Sequence, residues 1–279
     1  MMVRPRFIAV VLASAALLAG CALGGPSNAP ATTWPSSIAV LGHSGATGYN
    51  SDPAKPGEDA KTNSWATGTN PEVNSVYLQA LAQSPALEGH FTNAASSGSD
   101  VGSLPAQVEV ALKQDPLPDL FIIQSVDNDI RCDGSDDTNE AAYGEKISAV
   151  LKSIADAAPD AVIYVVGEWA TAQNYADVVA MRPELVAQNQ GDGVCDNFDG
   201  SGQQRPEGIA GVQAIADAYG EQLRSSCETF PTCTYGGDEI RNMVITDEDL
   251  TSDGGHLTIS GLKKMAAVAW ERLNQIREG

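Results

Sequence analysis

Short apolar runs alternate along this chain with longer segments in which apolar residues recur at helical spacing. Continuous apolar runs are typical of strands buried on both faces, and helical spacing indicates one buried helix face. The runs predict strands over residues 37–42, 121–125 and 161–166, with weaker candidates at 91–94 and 242–245. The predicted helices cover residues 75–82, 104–113, 140–157, 207–223 and 259–276. This alternation predicts an α/β fold with a parallel sheet covered by helices on both faces.

The first 20 residues follow a different pattern, in which Arg4 and Arg6 precede an apolar stretch over residues 8–20. The stretch is too short for a membrane-spanning helix, and the pattern is typical of a signal peptide over residues 1–20. It leads into Leu-Ala-Gly-Cys, which resembles the cleavage box of bacterial lipoproteins, with Cys21 becoming the lipidated amino terminus. An ordinary secretory signal with an incidental cysteine is the alternative.

Residues 21–36 are rich in glycine, proline and small polar residues, which predicts a flexible tether behind the lipidated terminus. Residues 37–279 suit one large domain that can bury a substantial core. We therefore expect a lipoprotein on the extracellular side of a bacterial cell membrane, or a secreted protein. Contact with the membrane is expected only through the lipid anchor.

The chain is strongly acidic, with 36 acidic and 16 basic residues and a formal net charge of −20. Loss of Arg4 and Arg6 with the signal peptide leaves 14 basic residues and a net charge of −22. Nucleic acid and anionic membrane surfaces would repel such a protein, so neither is expected as a partner. The acidic residues are dispersed through predicted loops, as is typical of a solvated surface.

Four cysteines remain beyond Cys21, and an even number in an exported protein predicts two disulfides. Cys227 and Cys233 are close enough to close a short loop, which favours Cys132–Cys195 as the second pair. Four cysteines allow three pairings, so the other two stay open. A zinc site is the weaker alternative, because the chain has no Cys-x-x-Cys motif.

Residues 167–205 form a long segment without a regular pattern, rich in Gln, Asn, Asp and Gly. Its acidic part, residues 191–200, is interpreted either as a loop anchored by a disulfide or as a calcium loop. The calcium-loop pattern Asp-x-Asp-x-Asp-Gly is not matched, which favours the anchored loop and no metal. Glu168 and Trp169, directly after the 161–166 strand, are candidates for lining a substrate pocket.

Asp253 precedes His256 by three residues near the carboxyl end of the chain. A carboxylate at this spacing can orient an imidazole within one turn of loop, so the pair is a candidate general base. Ser44 follows the first predicted strand and is the candidate nucleophile, because a serine hydroxyl needs such a base. His43 is a competing base, but adjacent residues on an extended segment point in opposite directions. A structural or substrate-contacting role is therefore expected for His43.

Ser44 and residues 93–98 and 125–129 all lie at or just past the carboxyl ends of predicted strands. Sites in parallel sheets form at that edge, so these segments are expected to meet there. An oxyanion formed by attack of the serine needs preorganised donors. The candidates are the backbone N–H groups of Ser44 and Gly98 and the side-chain amide of Asn128.

These features resemble the SGNH (GDSL-type) serine hydrolases at four places. The matching segments are residues 38–44, 93–100, 126–129 and 253–258, the last followed by Gly261. The resemblance implies these roles: nucleophile Ser44, base His256, orienting acid Asp253, and oxyanion donors Gly98 and Asn128. It also implies a flavodoxin-like three-layer α/β/α sandwich, ester hydrolysis and no cofactor, with a small-molecule or glycan ester as substrate. The α/β-hydrolase elbow Gly-x-Ser-x-Gly does not fit, because Ala46 stands where its second glycine would be.

Two positions depart from the family's pattern: His43 replaces an aspartate and Val126 replaces a glycine. Neither supplies the proton chemistry, but both bear on the shape of the oxyanion region. They motivate an alternative function, a non-catalytic surface lipoprotein that binds glycan in a degenerate hydrolase cleft. Asp127 and Asp129, beside Val126, are expected to be structural groups rather than acids or bases.

Overall fold

The computed structural model describes residues 34–278, which contain a five-stranded parallel sheet. The strands run in the order β2-β1-β3-β4-β5, all paired in parallel. Their bounds are β1 Ile38–Gly42, β2 Phe91–Asn93, β3 Leu120–Gln124, β4 Val162–Val166 and β5 Cys233–Tyr235. Four of the predicted strands are thus confirmed.

Helices cover both faces of this sheet, as the alternating pattern predicts. Their bounds are α1 Ser44–Thr47, α2 Val76–Leu81, α3 Leu104–Ala111, α4 Asp136–Ala157, α5 Ala172–Val179, α6 Pro183–Gln188, α7 Pro206–Glu228, α8 Gly237–Arg241 and α9 Ile259–Glu278. Alternate strand residues face opposite layers. In β1, Ile38 and Val40 pack with α2 and α9, whereas Ala39 and Leu41 pack with α3, α4 and α7. The three-layer α/β/α sandwich is therefore confirmed.

One predicted strand, residues 242–245, is wrong. Val244 is exposed while Met243 and Ile245 are buried, so the run lacks two buried faces. The Asn174 side chain accepts from the Ile245 N–H at 2.8 Å and donates to its carbonyl at 3.1 Å. One amide thus replaces the neighbouring strand as the hydrogen-bond partner of Ile245. The fifth strand is instead β5, a short and half-buried Cys-Thr-Tyr segment.

The segment over residues 167–205 is less irregular than its composition predicts, because it contains α5 and α6. The Thr171 hydroxyl accepts from the Asn174 N–H at the start of α5, which satisfies one of the free N–H groups there. The acidic loop over residues 191–200 packs around the Arg205 guanidinium, which donates to three of its carbonyl oxygens. Among the described residues, no group of three or more His, Cys, Asp or Glu side chains is placed to hold a metal ion.

Both preferred disulfides are present, Cys132–Cys195 and Cys227–Cys233. The first joins the segment after β3 to the acidic loop, and the second joins the end of α7 to β5. The acidic loop is therefore anchored as the cysteine pattern predicts.

The predicted signal peptide, Cys21 and most of the tether lie outside the described residues. Within residues 34–278, no helix combines the length and apolarity that crossing a membrane requires.

Candidate active site

Ser44 lies on a sharp turn between β1 and α1 that depends on the glycines around it. At Gly42, φ is +137°, and a Cβ there would lie 2.2 Å from the backbone oxygen of Gln124. A Cβ at Gly45 would lie 2.4 Å from the Gln124 side-chain nitrogen. Absence of both side chains lets the chain turn against β3, so Ser44 begins α1 at the carboxyl edge of the sheet.

The two ring nitrogens of His256 join Ser44 to Asp253. Nε2 lies 2.8 Å from the Ser44 hydroxyl oxygen, and Nδ1 lies 2.9 Å from Asp253 Oδ2. Ser44 and His256 are 212 residues apart in sequence. The loop that carries the pair is tight, because Leu250 and Leu257 form an antiparallel bridge. The structure thus brings together the three side chains that the sequence selected.

Four donors fix the Asp253 carboxylate. Oδ1 accepts from the Thr251 hydroxyl at 2.6 Å and the Gly255 N–H at 2.9 Å. Oδ2 accepts from the Asn50 amide at 2.7 Å and from His256. Burial raises the pKa of Asp253, but the hydrogen bonds from His256, Thr251 and Gly255 outweigh it and hold that pKa well below its ordinary value. Asp253 is therefore a fixed anion at neutral pH.

Asn50 was not selected from the sequence, although it connects the nucleophile's segment to the acid loop across 203 residues. It has a left-handed backbone, with φ of 57°, which asparagine tolerates better than most residues. Tyr49 beside it packs against His256, with ring centroids 4.7 Å apart and ring planes tilted by 50°. Both contacts arise only when the two ends of the chain meet, so no local pattern could have revealed them.

Two of the three candidate oxyanion donors are free. Among the described residues, neither the Ser44 nor the Gly98 N–H has a hydrogen-bond acceptor. The Ser96 N–H donates to the Gly42 carbonyl, and the Ser97 hydroxyl lies 3.3 Å from that of Thr47 in α1. These contacts hold the loop of Gly98 beside the helix that begins at Ser44.

Asn128 lies in the same region and also bonds to the loop of Gly98. Its amide donates to the Ser99 carbonyl at 2.9 Å, so it braces the loop that carries Gly98. The cleft at Ser44 is lined by Asp127 rather than Asn128. One amide N–H of Asn128 is left for an oxyanion.

Neither family models nor the sequences of curated proteins match this chain, but solved structures do. A phospholipase A1 from Streptomyces albidoflavus is 14% identical, with a TM-score of 0.54 over 86% of this chain and 98% of that one. A protein from Parabacteroides merdae described as a GDSL-like lipase is 17% identical, with a TM-score of 0.51 over 85% and 95%. The chain has the SGNH hydrolase fold.

A carbohydrate esterase of family 2 from Corynascus thermopiles (Myceliophthora fergusii), solved with its carbohydrate-binding domain, is 11% identical. Its TM-score is 0.51, over 86% of this chain and 65% of that one. At these identities the likeness extends to the SGNH fold and no further.

His43, the first departure from the SGNH pattern, is buried at 2% exposure and caps α1. Its Nδ1 accepts from the Gly45 N–H at 3.2 Å, so the imidazole proton lies on Nε2, 3.4 Å from Asp127 Oδ1. Burial lowers the pKa of His43, but the carboxylates of Asp127 and Asp129 outweigh it and raise the pKa above its ordinary value. Both ring nitrogens of His43 face groups other than the Ser44 hydroxyl. His43 is therefore placed for a structural role rather than for that of the base.

Val126, the second departure, has a φ of +112° and 1% exposure. A β-branched residue is strained in this region, where the glycine of the SGNH pattern would be relaxed. The turn directs the Asp129 carboxylate to the Val101 N–H, at 3.1 and 3.2 Å. Burial raises the pKa of Asp129 to about 6. Asp129 therefore connects the loop after β3 to the segment after Gly98.

Proposed function

We propose that this protein is a secreted or surface-anchored serine esterase that hydrolyses carboxylic esters through an acyl-enzyme. One observation carries the proposal: the chain of contacts from the Ser44 hydroxyl through His256 to Asp253, at 2.8 and 2.9 Å. Such a chain is the geometry of a nucleophile and a base oriented by a carboxylate. The SGNH fold, which the chain shares with a lipase and esterases, supports the same reaction class.

In the first step, Ser44 Oγ attacks the ester carbonyl while His256 Nε2 accepts its proton. Asp253 holds the other imidazole proton on Nδ1, which leaves Nε2 unprotonated and aimed at the serine. The imidazolium that forms lies beside a carboxylate whose low pKa keeps it charged. It then gives its proton to the departing alcohol, so that the bond between the carbonyl carbon and the alcohol breaks.

The attack places a negative charge on the carbonyl oxygen, and the free N–H groups of Ser44 and Gly98 are suited to bind it. Donors fixed before the reaction stabilise the developing charge without reorganisation. Loss of one such donor typically costs about a hundredfold to a thousandfold in kcat. The remaining N–H of Asn128 can serve as a third donor if its amide keeps the bond to Ser99.

Hydrolysis of the acyl-enzyme repeats these roles with water as the nucleophile. His256 takes a proton from the water, and the tetrahedral intermediate collapses to release the acid and restore the Ser44 hydroxyl. Export of the protein, proposed with this reaction, is supported by the two disulfides, which persist in oxidising compartments. Lipidation of Cys21 stays a prediction from the sequence.

The test is hydrolysis of a short-chain aryl ester by the Ser44→Ala variant, with Ser225→Ala, an exposed serine on α7, as the matched control. We expect Ser44→Ala to lose turnover and Ser225→Ala to keep it, with unchanged circular dichroism and unfolding midpoint in both. His256→Ala should also lose turnover, whereas His43→Asn, which can still cap α1, should keep it. Turnover retained by a folded Ser44→Ala variant would refute the proposal.

A fluorophosphonate probe separates the esterase from the alternative, a glycan-binding protein without catalysis. The bond from Asn128 to Ser99 and the presence of Asp127 in the cleft are the observations that keep the alternative open. An activated serine reacts with the probe, so labelling of the wild type and not of Ser44→Ala is expected. Folded wild-type protein that takes no label would favour the glycan-binding protein.

A further inference from the structure

A second cavity of about 340 Å³ opens beside the cleft at Ser44. The two share Asp127, Trp169 and Gly255, so a molecule held at Ser44 can extend into it. Its walls come from the segment after β4, the acidic loop and α7, and include both Glu168 and Cys195. The esterase mechanism uses none of the groups that belong to this cavity alone.

One carboxyl group in the wall of this cavity has no partner within the described residues. Glu168 lies in its wall and makes no hydrogen bond or ion pair with any residue between 34 and 278. Burial and the nearby Asp127 carboxylate raise the pKa of Glu168 well above its ordinary value. Asp127 itself lies 3.4 Å from His43 Nε2, so Glu168 is the carboxyl group in this wall that has no partner.

The one basic side chain in the described lining does not pair with Glu168. Arg241 is paired with Asp217 and also lies 3.5 Å from Asp238. The lining amide of Gln213 is committed as well, since its nitrogen donates to Asp217 and its oxygen accepts from the Ala172 N–H. The guanidinium and this amide thus have partners within the protein, and Glu168 does not.

The rest of the wall is suited to an organic cation. Trp169 and Tyr175 meet edge to face, with centroids 6.2 Å apart and planes at 67°. Aromatic faces attract cations, and the attraction grows when water is excluded. Asn197 also lines the cavity at 3% exposure, and its side-chain oxygen has no hydrogen-bond partner. Carboxylates and an amide oxygen are acceptors, so a group that carries only donors would satisfy them.

We infer that the cavity beside Ser44 binds a protonated primary amine on the substrate ester, with Glu168 as its counter-ion and Trp169 and Tyr175 as its aromatic walls. The inference rests on the proposed esterase function and narrows its substrate class to esters that carry an ammonium group. A primary ammonium supplies three donors and a positive charge. A neutral sugar supplies donors without the charge, so it cannot offset the cost of ionising a buried carboxyl group beside Asp127.

The first test compares esters in which an ammonium group replaces a methyl group. In the first pair the change is on the acyl side, and the esters are 4-nitrophenyl 6-aminohexanoate and 4-nitrophenyl heptanoate. In the second pair it is on the alcohol side, and the esters are 4-(aminomethyl)phenyl acetate and 4-ethylphenyl acetate. At high salt, which screens the protein's overall charge, we expect kcat/KM to favour the ammonium ester by about tenfold in one pair. Glu168→Gln should bring that ratio close to one. Glu88→Gln, an exposed carboxylate near the amino edge of the sheet, should not change it.

The second test does not depend on hydrolysis. We expect the Ser44→Ala variant to bind benzylammonium more tightly than benzyl alcohol, and Glu168→Gln in that background to remove the difference. If benzylammonium binds in this way but no ester is turned over, the cavity inference stands and the esterase proposal fails. If esters are hydrolysed without any preference for ammonium, or if Glu168→Gln keeps the preference, the inference is overturned and the esterase proposal stands.

Discussion

The two disulfides close loops of very different length, which predicts very different costs for their removal. Cys132 and Cys195 are 63 residues apart, and Cys227 and Cys233 are 6 apart. A cross-link stabilises chiefly by restricting the unfolded chain, and the effect grows with the logarithm of the loop length. For these loops the relation gives about 4 kcal/mol for the long loop and about 2 kcal/mol for the short one.

The assay is urea unfolding of two double variants, Cys132→Ala/Cys195→Ala and Cys227→Ala/Cys233→Ala, each compared with the oxidised wild type. Cys227 is buried at 1% exposure, so its truncation adds a packing loss to the smaller of the two costs. This packing loss raises the cost of the 227–233 variant, which is expected to be the less destabilised of the two. A larger cost for the 132–195 variant can therefore be attributed to its longer loop. A cost of about 2 kcal/mol or less for the 132–195 variant would refute the reasoning.

Three further predictions concern charge at the candidate active site. Asp253→Asn should lower kcat by about a hundredfold to ten-thousandfold in aryl-ester hydrolysis, since an amide cannot hold the proton on His256 Nδ1 in the same way. Because the folded-state pKa of Asp253 is lowered, its charge stabilises the fold above the unfolded pKa of about 4, and this contribution is lost as the pH falls further. The unfolding midpoints of wild type and Asp253→Asn should therefore converge in acid, and a constant difference down to low pH would contradict the shift. His43→Asp places a second carboxylate beside Asp127, so it should be less stable than His43→Asn, and Asp127→Asn should abolish that difference in chemical unfolding.

The sequence predicted those features of the fold and of the site that depend on residues close together in the chain. The three-residue spacing of Asp253 and His256 fits one turn of loop, and the apolar run before Ser44 placed it at a strand end. Continuous apolar runs identified the strands buried on both faces. In each case the information lies within a few residues, and the fold had only to bring the segments together.

The features that the sequence did not predict each depend on a partner that is distant in sequence. Residues 242–245 have the composition of a strand, but the Asn174 amide occupies the hydrogen bonds of Ile245 that a neighbouring strand would take. The strand β5 is short and half-buried, and it follows the Cys227–Cys233 disulfide rather than an apolar run. Asn50 meets Asp253 across 203 residues. None of these partners leaves a periodic signal in the chain.

The departures at His43 and Val126 are connected rather than independent losses from the SGNH pattern. His43 keeps the cap on α1 that an aspartate could supply, but its Nε2–H then faces the buried interior and needs an acceptor. Asp127 Oδ1 lies 3.4 Å from that nitrogen, which is an ion-pair distance without a hydrogen bond, and Asp127 directly follows Val126 at a strained φ of +112°. The same carboxylate lines the cavity that holds Glu168. The histidine before the nucleophile thus lies beside a carboxylate after β3, and that carboxylate also lines the region into which a substrate would extend. The two departures from the SGNH pattern therefore bear together on substrate choice.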